Sequence, residues 1–308
     1  MSINSDKNNK TAAVRQINRI GVLGAGTMGH GIAQVAAACG CEVVMRDIDA
    51  NAVARGLKSI ERNLEKGIQL GKVSEQDRDA TLQRIKITTD FADIRESDVV
   101  IEAAPEILDL KTSLLRETEA LVRSDCIFAT NTSSLSITEI ARASARPDKV
   151  VGMHFFNPVH VMRLVEIVFG HDTAEETTGA VRDLALRMKK DPIVVRDVPG
   201  FASSRLGVTL GLEAMRMVEQ GVASARDIDT AMELGYNHPV GPLKLTDLVG
   251  LDVRLNIAEY LHLKLQSETF RPPEILRRMV SEGKLGKKTG EGFYQWNEPE
   301  QAQKAYTS

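Results

Sequence analysis

The chain has 308 residues, 43% of them hydrophobic, and a formal net charge of −3 from 39 Lys and Arg against 42 Asp and Glu. That is enough apolar material for a sizeable core, and the length suits one large domain with a smaller one. No run of Lys and Arg forms a stripe and no stretch approaches the ~20 apolar residues of a membrane span, so nucleic acid and membrane are excluded as main partners.

Residues 1–16, MSINSDKNNKTAAVRQ, are polar and poor in Arg, and read as a flexible tail rather than a secretory signal or transit peptide. From Asn18 to about Arg196, short β-rich runs alternate with helical patterns. RIGVLG, CEVVMRD, RIKITTD, SDVVIEA, DCIFATN, DKVVGMH, RLVEIVF and PIVVRD are the strand candidates. Several are solid apolar runs, as in a sheet covered on both faces. Thr27 to Cys39, Ala50 to Leu70 and Leu110 to Val122 carry apolar residues at helical spacing. This order predicts an α/β Rossmann-type, doubly wound, mainly parallel sheet over 17–197. The last strands follow short loops, so some are expected to run antiparallel. Ala50 to Gln83 is long, charged and strandless; it predicts two helices broken near Gly71 that project from the sheet.

DVPGF, from Asp197, marks a change of character. Helix candidates follow at Val208 to Glu219, Ser224 to Leu234, Pro242 to Leu265 and Pro273 to Ser281. The remainder, 198–308, is therefore expected to be a smaller all-α domain. The three cysteines, Cys39, Cys41 and Cys126, suit neither a disulfide framework nor a zinc site. They are expected to be small buried apolar residues in a reducing, cytoplasmic setting, with no metal.

GAGTMG at Gly24 to Gly29 is a weak pattern alone. Here a strand precedes it, a helix pattern opens at Thr27, and the next strand ends at Asp47. Gly24 is suited to a tight turn, Gly26 to close approach of a pyrophosphate, and Gly29 to helix–strand packing. The helix N-terminus at Thr27 and Met28 offers free N–H groups to phosphates. Asp47 is placed to accept from the adenosine ribose, which favours NAD over NADP, although Arg46 stands beside it.

MHFFNPVHVMRLVEIV, Met153 to Val168, contains a reversal at Asn157-Pro158. A hairpin centred near His160 sets His154 opposite Glu166, a pair suited to general base chemistry. His30, His160 and His171 lack a comparable carboxylate and are expected to be structural or solvated. FATNTSSLSITEI ends a strand in a polar cluster, where ligands of doubly wound sheets bind. Ser136 with Glu139 reads as a helix cap, and Ser133 is kept for a substrate oxygen. Glu106 and Lys111 follow another strand end; they are either near the nicotinamide side or a solvated ion pair.

Taken with these motifs, GVLGAGTMGHGIA, IEAAPE, ATNTSSL, GMHFFNPVHVMRLVEIV, DVPGF, DIDTAMELGYNHPVGPLKLTDLVGLD and GKLGKKTGEGFYQW resemble the 3-hydroxyacyl-CoA dehydrogenase family, including its short-chain 3-hydroxybutyryl-CoA members. The resemblance covers Ile17 to about Trp296. It implies His154 as the base for the substrate 3-hydroxyl, Glu166 as its orienting partner and Ser133 as a hydrogen-bond donor to the 3-oxygen. Hydride would pass to NAD. Asn131 and Glu106 would lie near the nicotinamide, Asn157 near the substrate, and Ser59 and Lys66 at CoA phosphates. The helical domain would supply most of a homodimer interface. One departure is Ser204, in PGFASSRL, where the family has Asn. It leaves open a related hydroxy-acid or dicarboxyl-CoA dehydrogenase; a non-catalytic NAD-binding protein is the remaining alternative. A phosphogluconate-type enzyme is disfavoured, because GFASSRLGVTLGLEAMRM contains no Lys.

Overall fold

A computed structural model describes residues 16–296. The chain divides into two compact units that meet between Asp197 and Val198. In the first, β-branched runs form strands and the longer amphipathic runs form the helices between them. The order is β1 (Arg19–Leu23), α1 (Thr27–Ala38), β2 (Glu42–Arg46), α2 (Ala50–Gln69), α3 (Glu75–Gln83), β3 (Ile85–Thr88), β4 (Val99–Glu102), α4 (Leu108–Leu121) and β5 (Ile127–Thr130). Then come α5 (Ile137–Ala141), β6 (Val150–Phe155), β7 (Leu164–Phe169), α6 (Glu175–Arg187) and β8 (Asp191–Arg196).

The eight strands make one sheet in the order β3-β2-β1-β4-β5-β6-β7-β8. β1 to β6 run parallel; β7 turns back antiparallel to β6, and β8 follows β7. The C-terminal ends of β1, β4, β5 and β6 therefore share one edge of the sheet with the start of β7. The chain reverses its winding around β1, so that edge is where a doubly wound sheet opens a crevice. The central strands β4, β5 and β6 are buried along their whole lengths. β8 departs from the expected cover on both faces. It is an edge strand with Ile193 and Val194 39% and 46% exposed.

The charged helical pair is anchored by one stripe. Val53, Gly56, Ile60 and Leu64 of α2 are buried, and Val53, Ile60 and Leu64 belong to the main core with Ile32, Ala36 and Val43. Asp49 and Ser74 cap α2 and α3, and Gly71 turns between them at φ +66°.

The second unit holds α7 (Ser203–Glu219), α8 (Ala225–Gly235), α9 (Pro242–Val249), α10 (Leu251–Leu265) and α11 (Glu274–Ser281). The single helix expected over Pro242 to Leu265 is two. Gly250, at φ +108°, takes a conformation that ends α9 and starts α10. The core gathers Leu212, Met215, Leu243, Leu251, Leu261 and Leu276. Two buried carboxylates tie its ends. Asp229 accepts from Leu243 N, Lys244 N and the Tyr294 hydroxyl; Asp247 accepts from Phe293 N, Tyr294 N and Trp296 Nε1, each between 2.7 and 2.9 Å.

Candidate active site

The glycine loop joins β1 to α1. Gly24 sits at φ +102°, and a Cβ there would lie 2.7 Å from the Ala103 carbonyl oxygen. At Gly29 a Cβ would lie 1.8 Å from Gly24 O, so the helix rests directly on the turn. A Cβ at Gly26 would meet nothing within 4 Å, which leaves the backbone open to a ligand on that side. No side chain caps α1 and no acidic residue stands in its first turn, so Thr27 and Met28 begin an electropositive helix end. Asp47 closes the loop, with Oδ2 accepting from Ala25 N at 2.8 Å and Oδ1 from Ile48 N at 2.8 Å. An adenosine ribose would bind through the remaining lone pairs of that carboxylate. This donor set fits a dinucleotide diphosphate.

The β6–β7 ladder pairs Gly152 with Val168, Met153 with Ile167, His154 with Glu166 and Phe155 with Val165. His154 and Glu166 thus share a face, and Nδ1 lies 2.8 Å from Glu166 Oε2. Glu166 is fully buried and His154 is 7% exposed, with its ring 4.5 Å from that of Phe156. Asn131 joins this pair to β5, because its Oδ1 accepts from Phe155 N at 2.8 Å. The turn beyond β6 includes a cis Asn157–Pro158 peptide, and Asn157 is exposed. Buried Lys190 holds this turn from beneath, donating to the carbonyls of Val159 and Met162.

Ser133 stands in the loop after β5. Glu106 collects that loop: one oxygen accepts from Thr132 Oγ1 at 2.6 Å, Ser133 N at 2.9 Å, and Ser134 N and Oγ at 3.0 Å, with Ser133 Oγ at 3.3 Å. Burial opposes its charge, but Lys111 and these donors outweigh that and hold its carboxyl below the usual range. Ser136 caps α5 by accepting from Glu139 N at 3.1 Å, and donates to Asp197 at 2.7 Å.

Lys111 needs correction. It is not part of a solvated ion pair: its side chain is 1% exposed. The ammonium is committed to Glu102 at 2.8 and 3.0 Å and to Ala104 O at 3.2 Å, with Glu106 at 3.4 Å. Glu102, buried at the end of β4, also accepts from Ala104 N and Thr130 Oγ1, each at 2.6 Å. Sequence reasoning missed Glu102, Thr132 and Lys190. The signal for Glu102 was a carboxylate ending an otherwise apolar strand, VVIE. His171 also differs from expectation, with Asp172 at 2.8 Å, but the imidazole is 78% exposed. His30 contacts Gly26 O through Nδ1 at 2.8 Å.

On α2, Ser59 and Lys66 are two turns apart on one face, and Ser59 Oγ donates to Arg55 O at 3.0 Å. The His160 imidazole is held below its usual value by burial and by the nearby His30, Lys190 and Lys66. Ser204 lies in the first turn of α7, in the second unit. Among the described residues, no group of three His, Cys, Asp or Glu could hold a metal ion, and no helix is long and apolar enough to cross a membrane.

A doubly wound sheet with a glycine loop, a carboxylate ending the second strand and a separate helical unit defines the class of NAD-binding oxidoreductases. Residues 19–198 match the family described as 3-hydroxyacyl-CoA dehydrogenase, NAD binding domain, and residues 200–296 match its C-terminal domain. The chain belongs to the 3-hydroxyacyl-CoA dehydrogenase family. It is 41% identical over 279 residues to a 3-hydroxybutyryl-CoA dehydrogenase of Clostridioides difficile, covering 91% of this chain and 99% of that one. It is 41% identical over 287 residues to the mitochondrial hydroxyacyl-coenzyme A dehydrogenase of Homo sapiens, covering 91% of each. The crystal structure of (S)-3-hydroxybutyryl-CoA dehydrogenase from Ralstonia eutropha superposes with a TM-score of 0.90 at 43% identity, over 92% of this chain and all of that one. The cofactor is NAD.

Proposed function

We propose that the protein oxidises the 3-hydroxyl of a short-chain (S)-3-hydroxyacyl-CoA, such as 3-hydroxybutyryl-CoA, reversibly to the 3-ketoacyl-CoA. The observation that carries this is the His154–Glu166 hydrogen bond at the crevice edge of the sheet. Glu166 accepts from Nδ1–H and thereby sets the tautomer in which Nε2 is basic. Nε2 takes the hydroxyl proton, and Glu166 stabilises the imidazolium that results. Ser133 Oγ donates to the 3-oxygen, and Glu106 orients that serine through the loop. NAD, when bound, takes the hydride from C3. Asn131, fixed to Phe155 N, keeps the cofactor side of the crevice in register with the base.

Ser59 and Lys66 are assigned to the CoA phosphates, supported by their place two turns apart on one face of α2. Ser204 supplies one hydroxyl donor where the family has an amide. We also assign a homodimer. The reading is supported by Leu206, Leu234, Tyr236 and Leu263 of the helical unit, large apolar side chains each left 72–83% exposed in the single chain.

The test is loss of NADH absorbance with acetoacetyl-CoA. Absence of turnover would overturn the reading. His154→Ala is expected to lose about 10³-fold in kcat while still binding NADH. Unchanged turnover would remove His154 as base. The second reading, a hydroxy-acid or dicarboxyl-CoA dehydrogenase, rests on Ser204. It is supported by likeness to a solved diketoreductase, described as acting on dicarbonyl compounds, at 30% identity and a TM-score of 0.80. Turnover of free hydroxy acids in preference to acyl-CoAs would favour it.

A further inference from the structure

The sequence CGC at 39–41 closes α1, and its backbone dictates where both sulfurs go. Cys41 N donates to Ala36 O and Gly40 N to Ala37 O, at 3.2 and 3.0 Å. These are the two bonds of a Schellman turn, with Gly40 at φ +96° in the position that demands glycine. The turn brings the thiols of Cys39 and Cys41 to the same side, with their Sγ atoms 3.7 Å apart. Cys39 is half-buried between exposed Ala38 and Gly40, whereas Cys41 is fully buried. Arg187, in the last turn of α6, places Nη2 3.5 Å from Cys41 Sγ and anchors Nη1 on Ile17 O.

We propose that Cys39 and Cys41 form an oxidisable dithiol, in which Cys39 reacts with a hydroperoxide and Cys41 closes the product to an intramolecular disulfide. This site is separate from the dehydrogenase chemistry and does not rest on it. In the first step the Cys39 thiolate attacks one peroxide oxygen. The S–O bond forms, the O–O bond breaks, and the leaving oxygen departs as water or an alcohol after taking a proton. In the second step the Cys41 sulfur attacks the Cys39 sulfenic acid, the S–S bond forms, and the hydroxyl leaves as water. Two thiols lose two electrons and two protons; the peroxide is reduced.

Geometry assigns the order. Of the two, only Cys39 is partly exposed, its Sγ 3.1 Å from Ala36 O, and the buried Cys41 is the resolving thiol. The sulfurs must close from 3.7 Å to about 2.05 Å, within reach of rotation about two side chains on a turn this tight. The thiolate is the reactive form. The hydrogen bond from Cys41 outweighs burial and, with the Arg187 charge, brings the Cys39 thiol down to about 7. The same hydrogen bond, together with burial, pushes Cys41 up, consistent with its remaining the proton carrier. Cys126 is 4% exposed and burial pushes it up to about 12, so it serves as an internal control.

The experiment treats the full-length protein with hydrogen peroxide, blocks remaining thiols, and maps the peptides by mass spectrometry. The expected result is loss of two hydrogens within the peptide carrying residues 39 and 41, reversed by a phosphine reductant, with Cys126 still alkylated. In Cys41→Ser, Cys39 should be trapped as sulfenic acid by a cyclic β-diketone. In Arg187→Met, the rate of bridge formation should fall about tenfold. Alkylation of both Cys39 and Cys41 after oxidation, or a bridge between two chains, would overturn the proposal. The wild-type map decides it even if a variant fails to fold.

Discussion

His154 and Glu166 occupy opposite strands of one antiparallel pair, so neither depends on a loop for its position. Their register was legible because positions across a hairpin sum to a constant, and the turn signal at Asn157-Pro158 located the centre. What was not legible is the support underneath. Glu102 and Lys111 are nine residues apart in the chain, and only the strand-to-helix connection makes them a buried pair. Glu166→Gln is expected to leave NADH affinity intact and to lower kcat about 100-fold, because an amide cannot stabilise an imidazolium. Stopped-flow turnover with titration of NADH fluorescence checks both. In the proposed mechanism Glu106 acts through Ser133. Its carboxyl is held below the ordinary value of about 4.3, so its contribution to stability is complete above that pH and is lost as pH falls through the lower folded value. Glu106→Gln lacks this part. The gap in urea midpoint between wild type and variant should therefore narrow as pH drops from about 5 toward 3. A constant gap would contradict the assignment.

Among the elements, the β1–loop–α1 unit was the easiest to read, since each glycine has a distinct task. The closest approach is at Gly29, where a side chain would overlap Gly24 O. Gly29→Ala is expected to weaken NADH binding by more than about tenfold, or about 1.4 kcal/mol, without touching the His154–Glu166 bond. Isothermal titration gives the affinity, and a crystal structure gives the bond. The second unit was read less well. A lone glycine inside a helical pattern is tolerated often enough that Gly250 carried no clear signal, and only its positive φ separates α9 from α10. The family stretches DIDTA and KLTDLVG carried no role in the sequence reading. Their aspartates, Asp229 and Asp247, satisfy backbone and ring donors of the 293–296 segment and α9.

For the whole molecule, the two-unit division lies at the Pro-Gly punctuation that the sequence displays, between a sheet unit and a helical one. The apolar side chains exposed on the helical unit are not explained within one chain. Sedimentation velocity is expected to give twice the chain mass of 33.7 kDa. Leu234→Glu combined with Tyr236→Glu should shift it to the single mass, and a monomeric wild type would refute the dimer. The antiparallel turn-back of β7 has a further consequence for descent. Insertions within 157–163 leave the rungs alone but disturb the bend that Lys190 holds at Val159 and Met162. Removing a single residue from β7 would instead rotate Glu166 through the sheet to its opposite side and strand the imidazole without its anion. Natural variants should therefore bear a length change in the bend poorly, and one in β7 ahead of Glu166 not at all.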